Sequence, residues 1–314
     1  MKVRFWGVRG SIPTPLTSSQ IQGKISAVVQ RIQPKDIVDQ RSREKFIATL
    51  PENLFGTVGG NTTSVEVRLE DDTVIIFDAG SGICRLGADL VRKNEHLRDY
   101  HIFFTHFHWD HIQGLPFFSP QMYDPRCKVN FYTPVEGLRN ILSGQMKNPY
   151  FPITIDVFHK DISYNHLKGN SIKLGTAVIS WKRMKHPGGV FSYKIEEHGK
   201  TLIFSTDTEL SDKDFEKNSE NIEYFKDADV LIIDSQYTLD EAIEKYDWGH
   251  SSYSLCVDFA SVWSIKKLIL FHHEPTYDDN KMYSILQSAR WYKQYQQNSN
   301  ISVSLAKEGM EIVL

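Results

Sequence analysis

Four metal-binding side chains fall within six residues at His106, His108, Asp110 and His111, spelling His-x-His-x-Asp-His directly behind the apolar run Ile102 to Phe104. Imidazole and carboxylate donors at this density suit zinc, with manganese or iron as substitutes. Alternate side chains of an extended strand share a face, so His106 and His108 are expected to share one ion. The turn after them is expected to swing Asp110 and His111 toward a second ion, ahead of a helix that begins at Gly114. A histidine-rich surface loop is the bland reading, and it does not account for an Asp-His pair so close behind a strand. Two ions need further donors, which should stand as isolated His and Asp residues at the ends of later strands. His186, Asp207 and His272 stand there, with Asp207 suited to bridge both ions and His273 the competing last donor. Each alone reads as a hydrogen-bonded surface residue; together they read as a site.

Positioning such a site takes many strands. Strand-like runs occur at Val3 to Val8, Ser64 to Leu69, Thr73 to Phe77, His101 to Thr105, Lys128 to Tyr132, Ala177 to Lys182, Gly189 to Glu196, Lys200 to Ser205, Val230 to Asp234, Lys267 to Phe271 and Ser302 to Leu305. Continuously apolar runs such as Val74 to Phe77 predict strands covered on both faces. Helices are expected at Gly82 to Asn94, Glu136 to Gln145, Ser251 to Ser261 and Asp279 to Gln296, outside two packed sheets. Between residues 16 and 56, Ile21, Ile25, Val28, Val29 and Ile32 keep helical spacing, with Ser18 or Ser19 as cap and Pro34 as stop. A second helix is expected over Asp36 to Leu50. The pair forms an inserted helical hairpin, whether inert packing, a lid or a dimer contact. Residues 1–314 are expected to form a single α/β domain.

The balance of 36 basic against 39 acidic residues, a formal net charge of −3, offers no field for long nucleic acid and leaves a small phosphorylated ligand open. Cys84, Cys127 and Cys256 lie far apart and read as reduced core thiols in a cytoplasmic protein. No signal peptide or membrane span is expected.

The set His106, His108, Asp110, His111, His186, Asp207 and His272 resembles that of the metallo-β-lactamase fold, a four-layer αβ/βα sandwich with a dinuclear metal site along one edge. The resemblance implies that His106, His108 and His186 hold one ion and Asp110, His111 and His272 the other, with Asp207 bridging. Dizinc β-lactamases usually carry cysteine where Asp207 stands, so antibiotic hydrolysis is not expected. Gly249-His250-Ser251-Ser252 resembles the Gly-His-Ser-Thr element of RNase Z-like phosphodiesterases, in which the histidine aids the leaving oxygen. Val3 to Pro15, Gly56 to Val67 and Phe77 to Ile83 are similar to the cyclic phosphate or cyclic nucleotide phosphodiesterase subgroup. Asn61 and Asp78 are read there as support beneath the metals. RNase Z proper carries a tRNA-gripping arm between its third histidine and bridging aspartate. Only 20 residues separate His186 from Asp207. The rival's His-Glu-Ala-Thr element is replaced by Ile233-Asp234-Ser235-Gln236, so Asp234 either orients His250 or caps a strand.

The resemblance implies attack on phosphorus by a metal-bridging hydroxide, with His250 expected as general acid and Asp110 expected to combine ligation with orienting the water. The expected activity is hydrolysis of a small cyclic phosphate, a 3′,5′-cyclic nucleotide above others. A thioester or lactone hydrolase, an RNase Z-type tRNA processor and a non-catalytic ligand carrier are the alternatives. Trp109, Phe117, Phe118, Tyr150 and Phe151 are candidates to stack on a base, and the inserted hairpin and the resemblance point to a homodimer.

Overall fold

The computed structural model describes residues 1–96, 98–296 and 300–314. Its strands are β1 (Lys2–Gly7), β2 (Ser64–Arg68), β3 (Val74–Phe77), β4 (Asp99–Phe103), β5 (Lys128–Thr133), β6 (Ile162–His166), β7 (Ser171–Leu174), β8 (Ala177–Met184), β9 (Val190–Glu197), β10 (Lys200–Ser205), β11 (Val230–Asp234), β12 (Lys267–Phe271), β13 (Ser302–Leu305) and β14 (Glu311–Val313). They form two seven-stranded sheets, ordered β14-β1-β2-β3-β4-β5-β6 and β13-β12-β11-β10-β9-β8-β7. In the first sheet β3 to β6 run parallel, and in the second β10 to β13 do.

The inner faces meet through aromatic rings. Phe77 of the first sheet stacks on Phe204 of the second at 4.8 Å, and Phe5 meets Phe271 at 6.1 Å. Such pairs add about 0.5–1.5 kcal/mol beyond the area they bury. The outer faces carry helices. Ile83, Leu86 and Leu90 of helix Gly82–Arg92 share a buried cluster with Val74, Ile76 and Ile102. Cys256, Val257, Phe259 and Ala260 of helix Tyr253–Val262 lie in the larger core with the residues of β11 and β12. This helix–sheet–sheet–helix layering is the expected four-layer α/β sandwich, and it explains why β3, β11 and β12 read as unbroken apolar runs.

Parallel pairing positions the site. Ser205 pairs with Ile233 and Asp234 with Phe271, so β10, β11 and β12 end level with one another. Their next residues, and those after β4, emerge on one edge, the usual place for ligands in parallel sheets. The strand carrying the histidine motif ends earlier than expected, at Phe103. His106 and His108 therefore lie in a loop, and Asp110 and His111 in the short helix Trp109–Ile112, with a single 3₁₀ turn at Leu115–Phe117 in place of a helix from Gly114.

The inserted helices are Ser18–Val29, Gln40–Ala48 and Glu52–Phe55. Thr17 caps the first instead of Ser18 or Ser19, because it exchanges hydrogen bonds with Gln20 in a capping box. The second starts four residues later than Asp36, where the Asp39 side chain accepts from the Ser42 amide at 2.7 Å. None of the three has a buried residue, and they are tethered to the body by Lys24–Asp279 and Glu52–Lys307 ion pairs. Among the described residues no helix is long and apolar enough to cross a membrane. Cys84, Cys127 and Cys256 are free thiols.

Candidate metal centre

Two groups of donor atoms lie together at the strand ends. His106, His108, His186 and Asp207 form one, and Asp110, His111, Asp207 and His272 the other, with the donor atoms of each within 4.8 Å of one another. Asp207 belongs to both. Its Oδ1 lies 3.1 Å from Nε2 of both His111 and His272, and its Oδ2 lies 3.7 Å from His106 Nε2 and 3.8 Å from His186 Nε2. One carboxylate oxygen thus faces each group.

The imidazoles are aimed from behind. Thr105 Oγ1 donates to Asp78 Oδ2 at 2.8 Å and so accepts from His106 Nδ1 at 3.1 Å. His111 Nδ1 donates to Asp78 Oδ2 at 2.9 Å, His186 Nδ1 to the Gly249 carbonyl at 2.9 Å and His272 Nδ1 to Gln236 Oε1 at 3.0 Å. Each bond engages Nδ1 and leaves Nε2 facing the cluster, the orientation that metal-ligating histidines require. The backbone at the strand ends is held in the same spirit. Asp78, Asp207 and His272 have φ of 58°, 49° and 59°, a left-handed conformation that costs a non-glycine residue about 1–3 kcal/mol and persists where surroundings enforce it. Gly10 approaches so closely that a Cβ there would fall 2.6 Å from His272 Cε1.

The electrostatics call for cations. Burial opposes charge on His111, yet Asp207, Asp110 and Asp78 outweigh it and hold the imidazolium well above its usual range. Burial also opposes charge on Asp207, and His111, His272 and His106 outweigh it, holding the carboxyl well below its usual range. His106 is driven the other way, first by burial and then by neighbouring imidazoles. Among the described residues, the ion partners of Asp78, Asp110, Asp207 and Asp234 are all histidines. Among the described residues His106 Nε2 is buried without a hydrogen-bond partner, a costly state that a coordinated ion removes. This donor set fits two divalent cations.

His250 stands beside the cluster, its ring 5.2 Å from that of His272 and 5.3 Å from that of His186. Its Nδ1 lies 2.5 Å from Asp234 Oδ2. Burial disfavours its charge, but Asp234 prevails and raises its pKa to about 9. Asp234 is fully buried and also accepts from the amides of Thr208 and Gln236. It thus contacts both the His250 ring and the amides at the strand end.

Some expected residues lie elsewhere. His273 donates to the Ala306 carbonyl at 2.8 Å and is held neutral by burial, its pKa lowered to about 3; it belongs to neither cluster. Asn61 turns to Glu308 and Ser81. Phe118 is buried against Tyr100 and cannot reach a base, because it points into the outer core of the first sheet. Trp109 and Tyr150 are 81% and 78% exposed, and Phe117 packs edge-on against Phe151. Sequence reasoning missed Thr105, Gln236 as a histidine partner, and Ser11, whose amide donates to Asp110 Oδ2 at 2.8 Å. The signal available for the first two was position, at or just beyond a strand end.

The family model for the beta-lactamase superfamily domain matches residues 73–273. Ribonuclease Z of Thermoplasma acidophilum is 26% identical over 283 residues, spanning 72% of this chain and 84% of that protein. The metallo-beta-lactamase fold protein YhfI of Bacillus subtilis superposes with a TM-score of 0.66 at 14% identity, covering 99% of this chain and 98% of its own. Unliganded yeast PDE1 does so with a TM-score of 0.59 at 15% identity, covering 81% and 95%. The chain belongs to the beta-lactamase superfamily, as a hydrolase of the metallo-β-lactamase fold.

Proposed function

We propose that this protein hydrolyses a small cyclic phosphodiester, with a 3′,5′-cyclic nucleotide as the favoured substrate, using His106, His108, His186, Asp110, His111, His272 and bridging Asp207 as ligands for two ions, zinc foremost. The observation that carries this reading is His250, held protonated by Asp234 at 2.5 Å and set beside both donor groups. Phosphate-ester cleavage needs an acid at that place, because an alkoxide leaves poorly without a proton. When bound, a pair of divalent ions supplies Lewis acidity and a nucleophile at neutral pH. The chain does the rest. Asp207 keeps the two donor groups in register, Asp110 ligates and orients the attacking water, and His250 gives its proton to the departing oxygen while Asp234 aims it. Exposed Trp109 and Tyr150 offer faces for a base.

The ribonuclease Z likeness favours a second reading, cleavage of RNA. Against it, β9 and β10 take up the stretch between His186 and Asp207, leaving no arm there. We take residues 1–314 as one cytoplasmic domain, and a homodimer as the assembled form, on the ground that Ile21, Ile25 and Val29 form an exposed apolar row on the insertion. Chromatography of 3′,5′-cyclic nucleotides after incubation with metal-loaded protein tests the substrate. The expected result is ring opening by the wild type and none by Asp110→Ala. No product from any of them, with metal present, would contradict the cyclic nucleotide assignment.

A further inference from the structure

Glu209 lies two residues beyond Asp207 and is buried, yet its carboxylate faces neither donor group. It is turned instead toward the loop that precedes His250. Its Oε2 accepts from the Gly249 amide at 2.9 Å, and its Oε1 accepts from the Asp247 amide at 3.3 Å and from Lys185 Nζ at 2.6 Å. Lys185 also pairs with Asp247 Oδ1 at 2.6 Å, and the Glu209 amide donates to the Lys185 carbonyl at 3.0 Å. One carboxylate thereby joins the residue before His186 to the turn before His250.

That turn needs holding. Asp247 and Gly249 both have left-handed backbones, with φ of 64° and 92°. Glycine is required at 249, since a Cβ would fall 2.2 Å from His186 Nδ1. Asp247 has a Cβ, so its conformation must be enforced from outside. A buried carboxylate that receives two amides of the turn does this, and charge strengthens both bonds. The turn in its own right serves two site residues. The Gly249 carbonyl accepts from His186 Nδ1, and His250 follows directly.

We propose that Glu209 is a positioning residue, locking the turn of residues 246–250 so that the tautomer of His186 and the reach of His250 are set together. The proposal rests on the phosphodiesterase reading only where it concerns turnover. Loss of Glu209 should spare the fold, because Ser251 Oγ laces the other side of His250 to the Thr208 carbonyl at 2.5 Å and the Leu210 amide at 3.0 Å.

The test compares wild type, Glu209→Ala and Glu209→Gln. In metal-free labelled protein, imidazole N–H resonances report the histidine hydrogen bonds. Glu209→Ala is expected to lose the His186 Nδ1–H signal to solvent exchange while those of His111 and His272 persist and the melting temperature holds, with Glu209→Gln intermediate. In metal-loaded protein, kcat for a 3′,5′-cyclic nucleotide, whose sugar oxygen needs a proton, should fall by about 10²-fold, as for a misplaced catalytic group. Turnover of bis(p-nitrophenyl) phosphate, whose p-nitrophenolate leaves without one, should fall less, because it feels the loosened His186 but not the misplaced His250. An unchanged His186 signal, or an equal fall for both diesters, would overturn the proposal. Failure of the phosphodiesterase reading would show separately, as no turnover of either diester by the wild type, and the imidazole spectrum would still decide the role of Glu209.

Discussion

In the proposed mechanism His250 and Asp234 divide one task between them, proton delivery and its aim. Replacing His250 by alanine removes the acid without touching the seven ligand side chains, so kcat for a cyclic nucleotide should drop by about 10²-fold or more while the metal content by elemental analysis stays at the wild-type level. The sign of the pH effect follows from the pair. Asp234 raises the His250 pKa, so the acid form is present at low pH and is lost as pH rises through that value. In Asp234→Asn the fall of kcat on the alkaline side should move to lower pH, and an unmoved limb would remove Asp234 from this role. At this scale the gathered donor side chains were legible because their chemistry is local: four donors within six residues and three more at strand ends. Gln236, Thr105 and Glu209 were not, because an amide, a hydroxyl or a surface-type carboxylate acquires its meaning only from the imidazole or turn it meets in space.

Strands and insertion contribute to the molecule in different ways. Phe204 is fully buried and stacked on Phe77 at the meeting of the sheets, so Phe204→Ala should cost about 3–5 kcal/mol in urea unfolding. Ile25 is 59% exposed on a helix with no buried residue. Ile25→Glu should stay within about 0.5 kcal/mol of wild type and, if the insertion is the dimer contact, sediment as a monomer. A dimer persisting in Ile25→Glu would place the contact elsewhere. The same contrast explains what the sequence revealed of the elements. Among the described residues eleven strands were readable from strand-like runs, and the three that were not, β6, β7 and β14, all lie at sheet edges. These three have one neighbour and little burial, with only one residue of β14 buried and none of β6 or β7, whereas the edge strand β13 buries Val303 and Leu305 and could be read.

For the whole molecule, two mixed sheets put the parallel ends of β4, β10, β11 and β12 on one edge, and the chain gathers donors there from positions as far apart as His106 and His272. Layering and family resemblance were legible from the continuous apolar strands and the ligand order; the level ends of β10 to β12 required the register. The gathered carboxylates find no lysine or arginine partner among the described residues, and the donor set fits divalent cations. The most direct test is a titration of metal-free protein with zinc or manganese, following hydrolysis of bis(p-nitrophenyl) phosphate against equivalents added. Activity is expected to rise and level off at two ions per chain. A plateau at one ion, or no hydrolysis at full occupancy, would contradict the dinuclear phosphodiesterase.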